Sequence, residues 1–562
     1  MRHLRRPTVV AHPHPGRLCR PGCTIEGVDD PLIAVPVLVA VVLVVAGCAA
    51  AATRLRVAAP VLLVVVGALA GLVPGVPLVE VEPDWVLLGV LPPLLYSAAV
   101  AMPATSFRRE LRTISGLSVT LVVVSSLLLG LFFSAALGLD LGWAVALGAI
   151  VSPTDAVATA IARRAGVPAR VLTLLEGESL LNDATALVLL RSAVAGAGAA
   201  VSVGAVALDF VLAVAFAVVI GVVVGRTMLA VRARVADPTV TTLLSFTVPF
   251  LAALPAEAVD ASGLVAAVVA GLVTGHRAPR VLTPRDRVSD ALSWRTVELA
   301  LEGAVFLVMG LQLEALVVDV RAQHGSLHLV LGVAAVGLAL TVAVRAAYVV
   351  LLLRSARRRV RHSAERSAWL DEVEQRVERR VQHLPADGDT RAVRRVERFR
   401  ARVRQARHDL DYVLDERLGP REGVVIVWAG MRGAISLAAA QTLPASTPDR
   451  PVLVLVAFTL AGGSLLLQGL TLPALARRLA RPATADDRAS RTRARMHALL
   501  DEVAAREGQD APRVQVLRAQ RTALLDALEE GALDPDAVGH ALDVLDAEES
   551  GLELRGEGLR TS

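Results

Sequence analysis

Residues 115–137 read SGLSVTLVVVSSLLLGLFFSAAL, a stretch in which no side chain is charged. A bilayer core about 30 Å thick is crossed by an α-helix of about 20 apolar residues. The stretch therefore predicts a transmembrane helix, and residues 204–225 and 327–353 meet the same requirement of length and apolarity.

Working outward from this helix, we predict thirteen spans and hence an all-α, polytopic membrane protein. Hydrophobic residues make up 54% of the 562 residues, which argues against a soluble enzyme, and no enzymatic activity is predicted. The approximate spans are 32–52, 57–73, 85–103, 115–137, 143–162, 170–198, 204–225, 239–254, 263–275, 297–313, 327–353, 422–443 and 451–476.

Charged segments divide the chain around these spans. Residues 1–30 are polar and Arg-rich and are expected to be disordered, whereas spans 1–11 occupy 31–353 and spans 12–13 occupy 422–479. The insert 354–421 has apolar residues at helical spacing, which favours a cytoplasmic helical hairpin over a binder of anionic lipid or nucleic acid. Residues 480–562 are predicted to form a helical cytoplasmic tail.

Arginines recur in alternate loops, and this pattern sets the predicted orientation. If the loop with Arg54 is cytoplasmic, the loops with Arg108, Arg163 and Arg226 fall on the same side. The pattern predicts a plasma-membrane protein with its N-terminus outside and its C-terminus in the cytoplasm. The basic residues of 1–30 conflict with this orientation, and a start codon assigned too far upstream would explain them.

The composition also limits cofactors and partners. The formal charge is +5, but the arginines are concentrated in loops and polar segments, so no nucleic-acid partner is predicted. The chain contains no Lys, which excludes a Walker A loop and its phosphate-binding Lys. Three cysteines, Cys19, Cys23 and Cys48, provide neither a disulfide framework nor a complete zinc site. No cofactor is predicted.

The fifth span contains Gly148-Ala-Ile-Val-Ser-Pro-Thr-Asp155, with Pro153 in the helix interior. Proline removes one helical hydrogen bond and clashes with the preceding turn, so the helix should break near Thr154 and Asp155. Unpaired backbone at bilayer depth is tolerated only where protein or a water-filled cavity satisfies it. A simple proline kink is the alternative, but the adjacent carboxylate favours an ion site.

The sixth span contains a cluster of polar side chains separated by three or four positions, so they project from one helix face. Oxygen ligands of this kind suit a hard monovalent cation. Desolvation of a carboxylate favours its protonated form, so a proton can compete with the cation. The residues are Glu178, Ser179, Asn182 and Asp183.

The motifs Ser152-Pro-Thr-Asp-Ala-Val-Ala158 and Gly177-Glu-Ser-Leu-Leu-Asn-Asp183 together closely resemble those of bacterial sodium/proton exchangers of the cation/proton antiporter 1 family. Further matches are Leu91-Pro-Pro-Leu-Leu-Tyr96, Phe306-Leu-Val-Met-Gly-Leu-Gln312 and Gly430-Met-Arg-Gly-Ala-Ile435. The resemblance implies an inverted-repeat fold, in which two unwound helices cross at the ion site, and a homodimer. Pro153 in span 5 and Gly430 and Gly433 in span 12 are suitable positions for the helix breaks.

The same resemblance implies a role for each site residue. Asp183 carries the cation or the proton, and sodium binds at Asp183, Ser179 and Thr154, with Asp155 shaping the site. Asn182 stands before Asp183, as in the electroneutral members of the family. A single carboxylate that binds either one proton or one monovalent cation predicts one-for-one exchange.

Two buried arginines require counter-charges. Glu178 is an extra carboxylate for this scheme and Arg345 is an isolated cation in span 11, so we expect a structural ion pair between them. The family resemblance supports this pair, whereas snorkelling of Arg345 to the interface is the alternative. Arg432 is expected to compensate helix-terminus dipoles at the crossing or to lie near Asp155.

Three hypotheses follow for function. The first is secondary exchange of sodium for protons by alternating access, with lithium as an alternative cation or, as a variant, a potassium/proton antiporter regulated by the cytoplasmic tail. The second is a membrane-embedded ion sensor that uses the insert and the tail for signalling. The third is an ion channel, which would carry current under voltage.

Overall fold

The computed structural model describes residues 31–55, 57–74, 85–155, 157–197, 203–322, 326–382, 403, 418–444, 446–479, 484–508, 511–529, 533 and 535–554. All regular structure in these residues is helical, as the sequence predicts. The predicted polar segment 1–30 lies outside the described residues, as do 383–402 and 404–417 of the predicted insert.

The first thirteen helices belong to the region of the predicted spans 1–11. They are α1 (Pro31–Leu55), α2 (Ala59–Gly71), α3 (Leu91–Ala101), α4 (Ala104–Ser115), α5 (Leu121–Leu137), α6 (Leu141–Val151), α7 (Val157–Arg164), α8 (Ala169–Ala197), α9 (Val203–Arg232), α10 (Pro238–Glu257), α11 (Gly263–Val281), α12 (Pro284–Ala322) and α13 (Leu327–Gln382). A π-helical turn, Trp85–Val90, precedes α3, and another, Gly116–Thr120, joins α4 to α5.

The later helices complete the membrane part and form the tail. They are α14 (Pro420–Trp428), α15 (Ala434–Gln441), α16 (Arg450–Leu479), α17 (Thr484–Glu507), α18 (Arg513–Glu529) and α19 (Pro535–Leu554). Helices α17 to α19 pack on one another around buried apolar residues that include Leu517, Leu524 and Val538. We call α17 to α19 the tail bundle.

Eight helices of the described part are long and apolar enough to cross a membrane. Three shorter apolar helices accompany them, Ala59–Gly71, Trp85–Ala101 and Leu141–Val151. Each of the thirteen predicted ranges contains helix, but length and apolarity on their own identify only these eight as spans.

Two helices are longer than the predicted spans. The predicted span 297–313 is the middle of α12, and the predicted span 327–353 is the first half of α13. We predicted these spans from apolar residues alone. Helical hydrogen bonds form within the backbone and continue through charged side chains, so an apolar stretch marks only the part of a helix that lipid can surround.

Two predicted spans are divided into half-helices. Helix α6 ends at Val151 and α7 begins at Val157, while α14 ends at Trp428 and α15 begins at Ala434. Helices α5, α8, α13 and α16 pack around these half-helices. Buried residues such as Phe133, Ile150 and Leu460 form the apolar core there. Both interruptions therefore lie in the interior of the helical assembly.

Glycines allow another pair of helices to approach closely. A Cβ atom at Gly67 of α2 would meet the carbonyl oxygen of Leu307, and one at Gly310 of α12 would meet that of Val64. Small residues at such contacts let helix backbones pack closely in membranes, where dispersion contacts replace the hydrophobic effect as the driving force. Helix α12 is thereby fixed against α2 beside the half-helices.

Candidate functional site

The two helix interruptions lie directly against each other. The backbone N–H of Asp155 donates to the carbonyl oxygen of Met431 at 2.8 Å, and the backbone N–H of Arg432 donates to Ser464 Oγ at 2.8 Å. Backbone groups that the helices leave unpaired are thus satisfied by protein atoms, the condition that non-helical backbone must meet at membrane depth.

Asp155 stands at the start of α7. Its Oδ1 accepts a hydrogen bond from the backbone N–H of Val157 at 3.3 Å, which satisfies one of the donors that a helix start leaves free. Its carboxylate also lies within electrostatic reach of Asp183 on α8. The interruption at Pro153 therefore brings a second carboxylate towards the sixth predicted span.

Asp183 is almost completely buried, with 1% of its surface exposed. Neither of its carboxylate oxygens accepts a hydrogen bond from any residue that the structure describes. A small cavity lies in front of the carboxylate, between α8 and the two interruptions. It is lined by Pro153, Thr154, Asp155, Asp183, Gly433, Ile435 and Ser436.

Asn182 and Thr154 connect the cavity to Glu178. Asn182 Nδ2 donates to Thr154 Oγ1 at 2.7 Å and to the Thr154 carbonyl oxygen at 3.2 Å. Thr154 Oγ1 in turn donates to Glu178 Oε1 at 3.1 Å. This network fixes the threonine at the helix interruption, with its hydroxyl oriented by one donor and one acceptor.

Glu178 and Arg345 form a bidentate ion pair. Arg345 Nη2 donates to Glu178 Oε2 at 2.8 Å, and Nη1 donates to Oε1. Arg345 Nε donates to the carbonyl oxygen of Ile426 at 2.9 Å. Both side chains are 2% exposed, so Arg345 does not snorkel to an interface. The pair joins α8, α13 and α14.

Arg432 lies at the C-terminal ends of two half-helices. Its Nε donates to the carbonyl oxygen of Val151 at 2.9 Å, and its Nη1 donates to that of Gly430. Val151 is the last residue of α6, and Gly430 follows α14. Helix C-termini carry partial negative charge, so the guanidinium stands where two helix dipoles favour a cation.

Two glycines make room for charged side chains. A Cβ atom at Gly433 would overlap the carboxylate of Asp155, and one at Gly430 would crowd the guanidinium of Arg345. These positions admit no larger residue without displacement of the neighbouring charge. The glycines predicted as helix-break positions in span 12 thus also set the distance between the two interruptions.

One predicted ligand lies apart from the cavity, and the sequence reasoning missed another polar group. Ser179 is buried, but it is not among the residues that line the cavity in front of Asp183. Ser436 does line it, and its hydroxyl is buried without a hydrogen-bond partner among the described residues. Ser436 directly follows the motif Gly430–Ile435 of span 12, three positions after Gly433, which is the signal that could have identified it.

Two glutamates on α12 were also missed. Ser97 Oγ of α3 donates a hydrogen bond to Glu298 Oε1. Glu302, one turn further along α12, is partly buried and interacts electrostatically with Glu298 and with Asp155. Both lie in the predicted span 297–313, where two carboxylates at a spacing of four positions should have suggested a functional role.

Comparison with known proteins gives a consistent family. The profile described as "Sodium/hydrogen exchanger, transmembrane" matches residues 39–478. An uncharacterized Na+/H+ exchanger of Mycobacterium tuberculosis (strain H37Rv) is 32% identical over 465 residues, which cover 80% of this chain and 76% of the relative. The Na+/H+ antiporter NhaG of Bacillus atrophaeus is 25% identical over 462 residues, covering 78% of this chain and 74% of the relative.

A solved structure has a similar fold. The sodium proton antiporter MjNhaP1 from Methanocaldococcus jannaschii at pH 8 superimposes with a TM-score of 0.55 and 17% sequence identity. The match covers 80% of this chain and 99% of the other. At this identity the likeness extends to the fold.

Proposed function

This chain belongs to the sodium/hydrogen exchanger family, and on that premise we propose that it is a secondary antiporter that exchanges sodium for protons across the cell membrane. Asp183 is the group that binds the proton or the cation in turn. Thr154, Asp155 and Asn182 shape its cavity, and Ser436 joins Ser179 as a candidate oxygen ligand.

The observation that carries this proposal is the carboxylate of Asp183, buried and without a hydrogen-bond donor among the described residues. An ionised carboxylate in such a place is costly unless it is neutralised. A proton and a monovalent cation each neutralise it, and only one of them can do so at a time. The site therefore favours competition between the two, which is the chemical requirement for exchange.

The buried charges support a one-for-one stoichiometry. Glu178 and Arg345 neutralise each other through their bidentate contact. Arg432 supplies one positive charge at the interruptions, where it donates to carbonyl oxygens, and Asp155 supplies one negative charge there. These groups keep their charges in both halves of the transport cycle, so only Asp183 changes the ion that it binds, a proton or a sodium ion. Exchange of one sodium for one proton then moves no net charge across the membrane.

We assign Glu298 and Glu302 to the approach of the cation rather than to its exchange. The two carboxylates follow each other along α12, and Glu302 interacts with Asp155 at the cavity. Negative side chains along a low-dielectric path raise the local concentration of cations. Since both carboxylates keep their charge in both halves of the transport cycle, they leave the stoichiometry of exchange unchanged.

The arrangement of half-helices supports an alternating-access mechanism. The interrupted pairs α6–α7 and α14–α15 meet at Asp155 and Met431, and we propose that they are the two unwound helices that cross in an inverted-repeat fold. We further propose thirteen spans, a homodimer, an external N-terminus and a cytoplasmic tail, as the arginine pattern predicts.

A flux assay tests the proposed function. The purified chain is reconstituted in liposomes with a trapped pH-sensitive dye, and a sodium gradient is imposed. We expect a sodium-dependent proton flux, and its rate should not change when the membrane potential is clamped. No flux from folded protein would exclude the antiporter, whereas current under voltage would indicate a channel. Lithium and potassium gradients in the same assay determine the cation preference.

A further inference from the structure

A second cavity adjoins the two helix interruptions and shares no lining residue with the cavity in front of Asp183. It lies between α5, α8 and α13, and its volume of about 10 Å³ is close to the space that one water molecule requires. We call it the arginine cavity. Its polar lining is buried and consists of Ser125, Ser152, Glu178, Thr341, Arg345 and Arg432.

The two cavities differ in charge. Asp155 and Asp183 line the first, whereas two guanidiniums and only one carboxylate line the arginine cavity. That carboxylate, of Glu178, neutralises Arg345 through their bidentate contact. The guanidinium of Arg432 donates to backbone carbonyl oxygens, which carry no full charge. The arginine cavity therefore favours an occupant that presents an electron-rich atom to the guanidiniums.

Both guanidiniums have N–H groups to spare, because each has five N–H donors. Arg432 donates from Nε and Nη1, and within the described part of the chain no hydrogen bond starts at its Nη2. Arg345 makes one hydrogen bond from each of its three nitrogens, so Nη1 and Nη2 each keep a second N–H. A buried N–H without an acceptor is costly, which makes an acceptor inside the cavity favourable.

Two serines of the same cavity have acceptor capacity to spare. Ser125 Oγ and Ser152 Oγ lie 2.6 Å apart. Ser125 Oγ also donates to the carbonyl oxygen of Leu121 at 2.7 Å, and Ser152 Oγ to that of Val122 at 3.3 Å. These contacts use the two hydroxyl hydrogens, whereas lone pairs remain on both oxygens. The lining thus combines unused donors on the arginines with unused acceptors on the serines.

Water matches this combination better than an ion does. A buried water molecule typically makes about three hydrogen bonds and can both accept and donate. A chloride ion is larger than water, cannot donate, and would share the cavity with the carboxylate of Glu178. A sodium ion would face the guanidiniums of Arg345 and Arg432. Both the volume and the chemistry of the cavity therefore favour a neutral water molecule.

We propose that the arginine cavity binds one ordered water molecule, which accepts hydrogen bonds from Arg345 and Arg432 and donates to the serine pair. A water-mediated contact is nearly as favourable as a direct one. Ser152 stands at the first interruption and Arg432 at the second, so the water joins both interruptions to α13. It thereby holds the Arg432 guanidinium in place. The inference rests on the proposed function only for its effect on exchange.

A cavity-filling substitution tests for the water through the sign of its effect. Val122 lines the cavity, and Val122→Ile adds one methyl group to it. The added group displaces the water and leaves guanidinium N–H groups without an acceptor, so the melting temperature should fall by about 2 °C or more. A dry cavity gives the opposite sign, because filling a void stabilises a protein. An unchanged or higher melting temperature therefore overturns the proposal.

A matched substitution on the same helix controls for the size of the side chain. Val124 is 40% exposed on α5, so Val124→Ile adds the same methyl group outside the cavity. Its melting temperature should equal that of the wild type. A fall as large as that of Val122→Ile would assign the effect to α5 rather than to the cavity, and would overturn the proposal.

A density map identifies the occupant directly. The full-length chain in lipid nanodiscs is imaged by electron cryomicroscopy, once in chloride and once with gluconate in its place. We expect one peak about 3 Å from Arg432 Nη2 in both buffers, and no peak in Val122→Ile. Absence of the peak from the wild type overturns the proposal. A peak that requires chloride also overturns it, because the occupant is then an anion.

The effect on exchange is measured separately. Arg432 directly precedes Gly433, which lines the cavity in front of Asp183, so a shift of Arg432 in Val122→Ile should slow exchange about two- to fivefold. Exchange at the wild-type rate after loss of the peak would overturn the role of the water in holding Arg432. A wild-type chain without sodium-dependent proton flux would overturn antiport, while the map and the melting temperatures still decide whether the water binds.

Discussion

Asp183 and Glu178 are buried carboxylates on the same helix, five positions apart, and their surroundings are opposite. Asp183 is 1% exposed and accepts no hydrogen bond among the described residues. Glu178 is 2% exposed and accepts hydrogen bonds from Arg345 and Thr154. Burial alone therefore does not identify a carrier. A carboxylate that must release its ion lacks fixed partners, whereas one that holds helices together has them.

The largest expected effect is on exchange, at Asp183. Asp183→Asn keeps the shape of the side chain but removes the charge that binds a cation, so exchange should fall at least about 100-fold. Because no partner is lost, the melting temperature should stay the same or rise. Flux in liposomes and thermal unfolding in detergent measure the two effects. Asp319→Asn, at an exposed carboxylate of α12, is the control and should leave exchange unchanged. If Asp183→Asn retains exchange, Asp183 is not the carrier.

The next effect is on stability, at Glu178. Glu178→Gln leaves the Arg345 charge buried without its counter-charge, and Arg345→Gln does the reverse, so each should destabilise the protein by about 3–5 kcal/mol. The double variant removes both charges and should recover most of that loss. Thermal unfolding of the three variants tests the comparison. If either single variant has the same melting temperature as the wild type, the pair has no structural role.

A smaller loss is expected when the two interruptions are pushed apart. Gly433→Ala adds a Cβ atom that overlaps the carboxylate of Asp155. The displaced carboxylate should reduce exchange about tenfold or more, as small misplacements in a site do. Gly463→Ala on α16, where a Cβ atom meets nothing within 4 Å, is the matched control. Equal exchange in both variants would show that the cavity tolerates the shift.

The smallest effect is expected at the approach to the site. Glu302→Gln removes one negative charge near Asp155 while Asp183 stays intact, so the apparent KM for sodium should rise a few-fold with little change in maximal rate. Glu314→Gln on the exposed side of α12 should change neither value. A fall in maximal rate without a change in KM would instead assign Glu302 to the exchange step.

The helical class and the region of the site could be predicted because they depend on local signals. Apolar runs such as 115–137 identify helices for lipid, and Pro153 marks an interruption wherever it lies inside one. The spacing of Glu178, Asn182 and Asp183 on one face is likewise a property of the helix alone. These features gave the family resemblance as well, and the family profile confirms it over residues 39–478.

Other features require contacts between segments far apart in the sequence. The contact of Glu298 with Ser97 joins positions 201 apart, and that of Arg287 with Asp546 joins positions 259 apart. Ser436 lines the cavity only because the second interruption lies against the first. The spacing of residues along one helix does not indicate such long-range contacts. The sequence analysis therefore overlooked these residues or left their role open.

The sequence by itself determined that this is a helical membrane protein of the exchanger family, with charged residues in two helices where lipid cannot solvate them. It also predicted that Glu178 and Arg345 form an ion pair with each other. Only the tertiary structure decided that Glu178 accepts hydrogen bonds from both Arg345 and Thr154, and that Asp183 accepts none among the described residues. The free energy of a buried charge depends on the donors that surround it, and those donors come from helices that the chain brings together only when it folds.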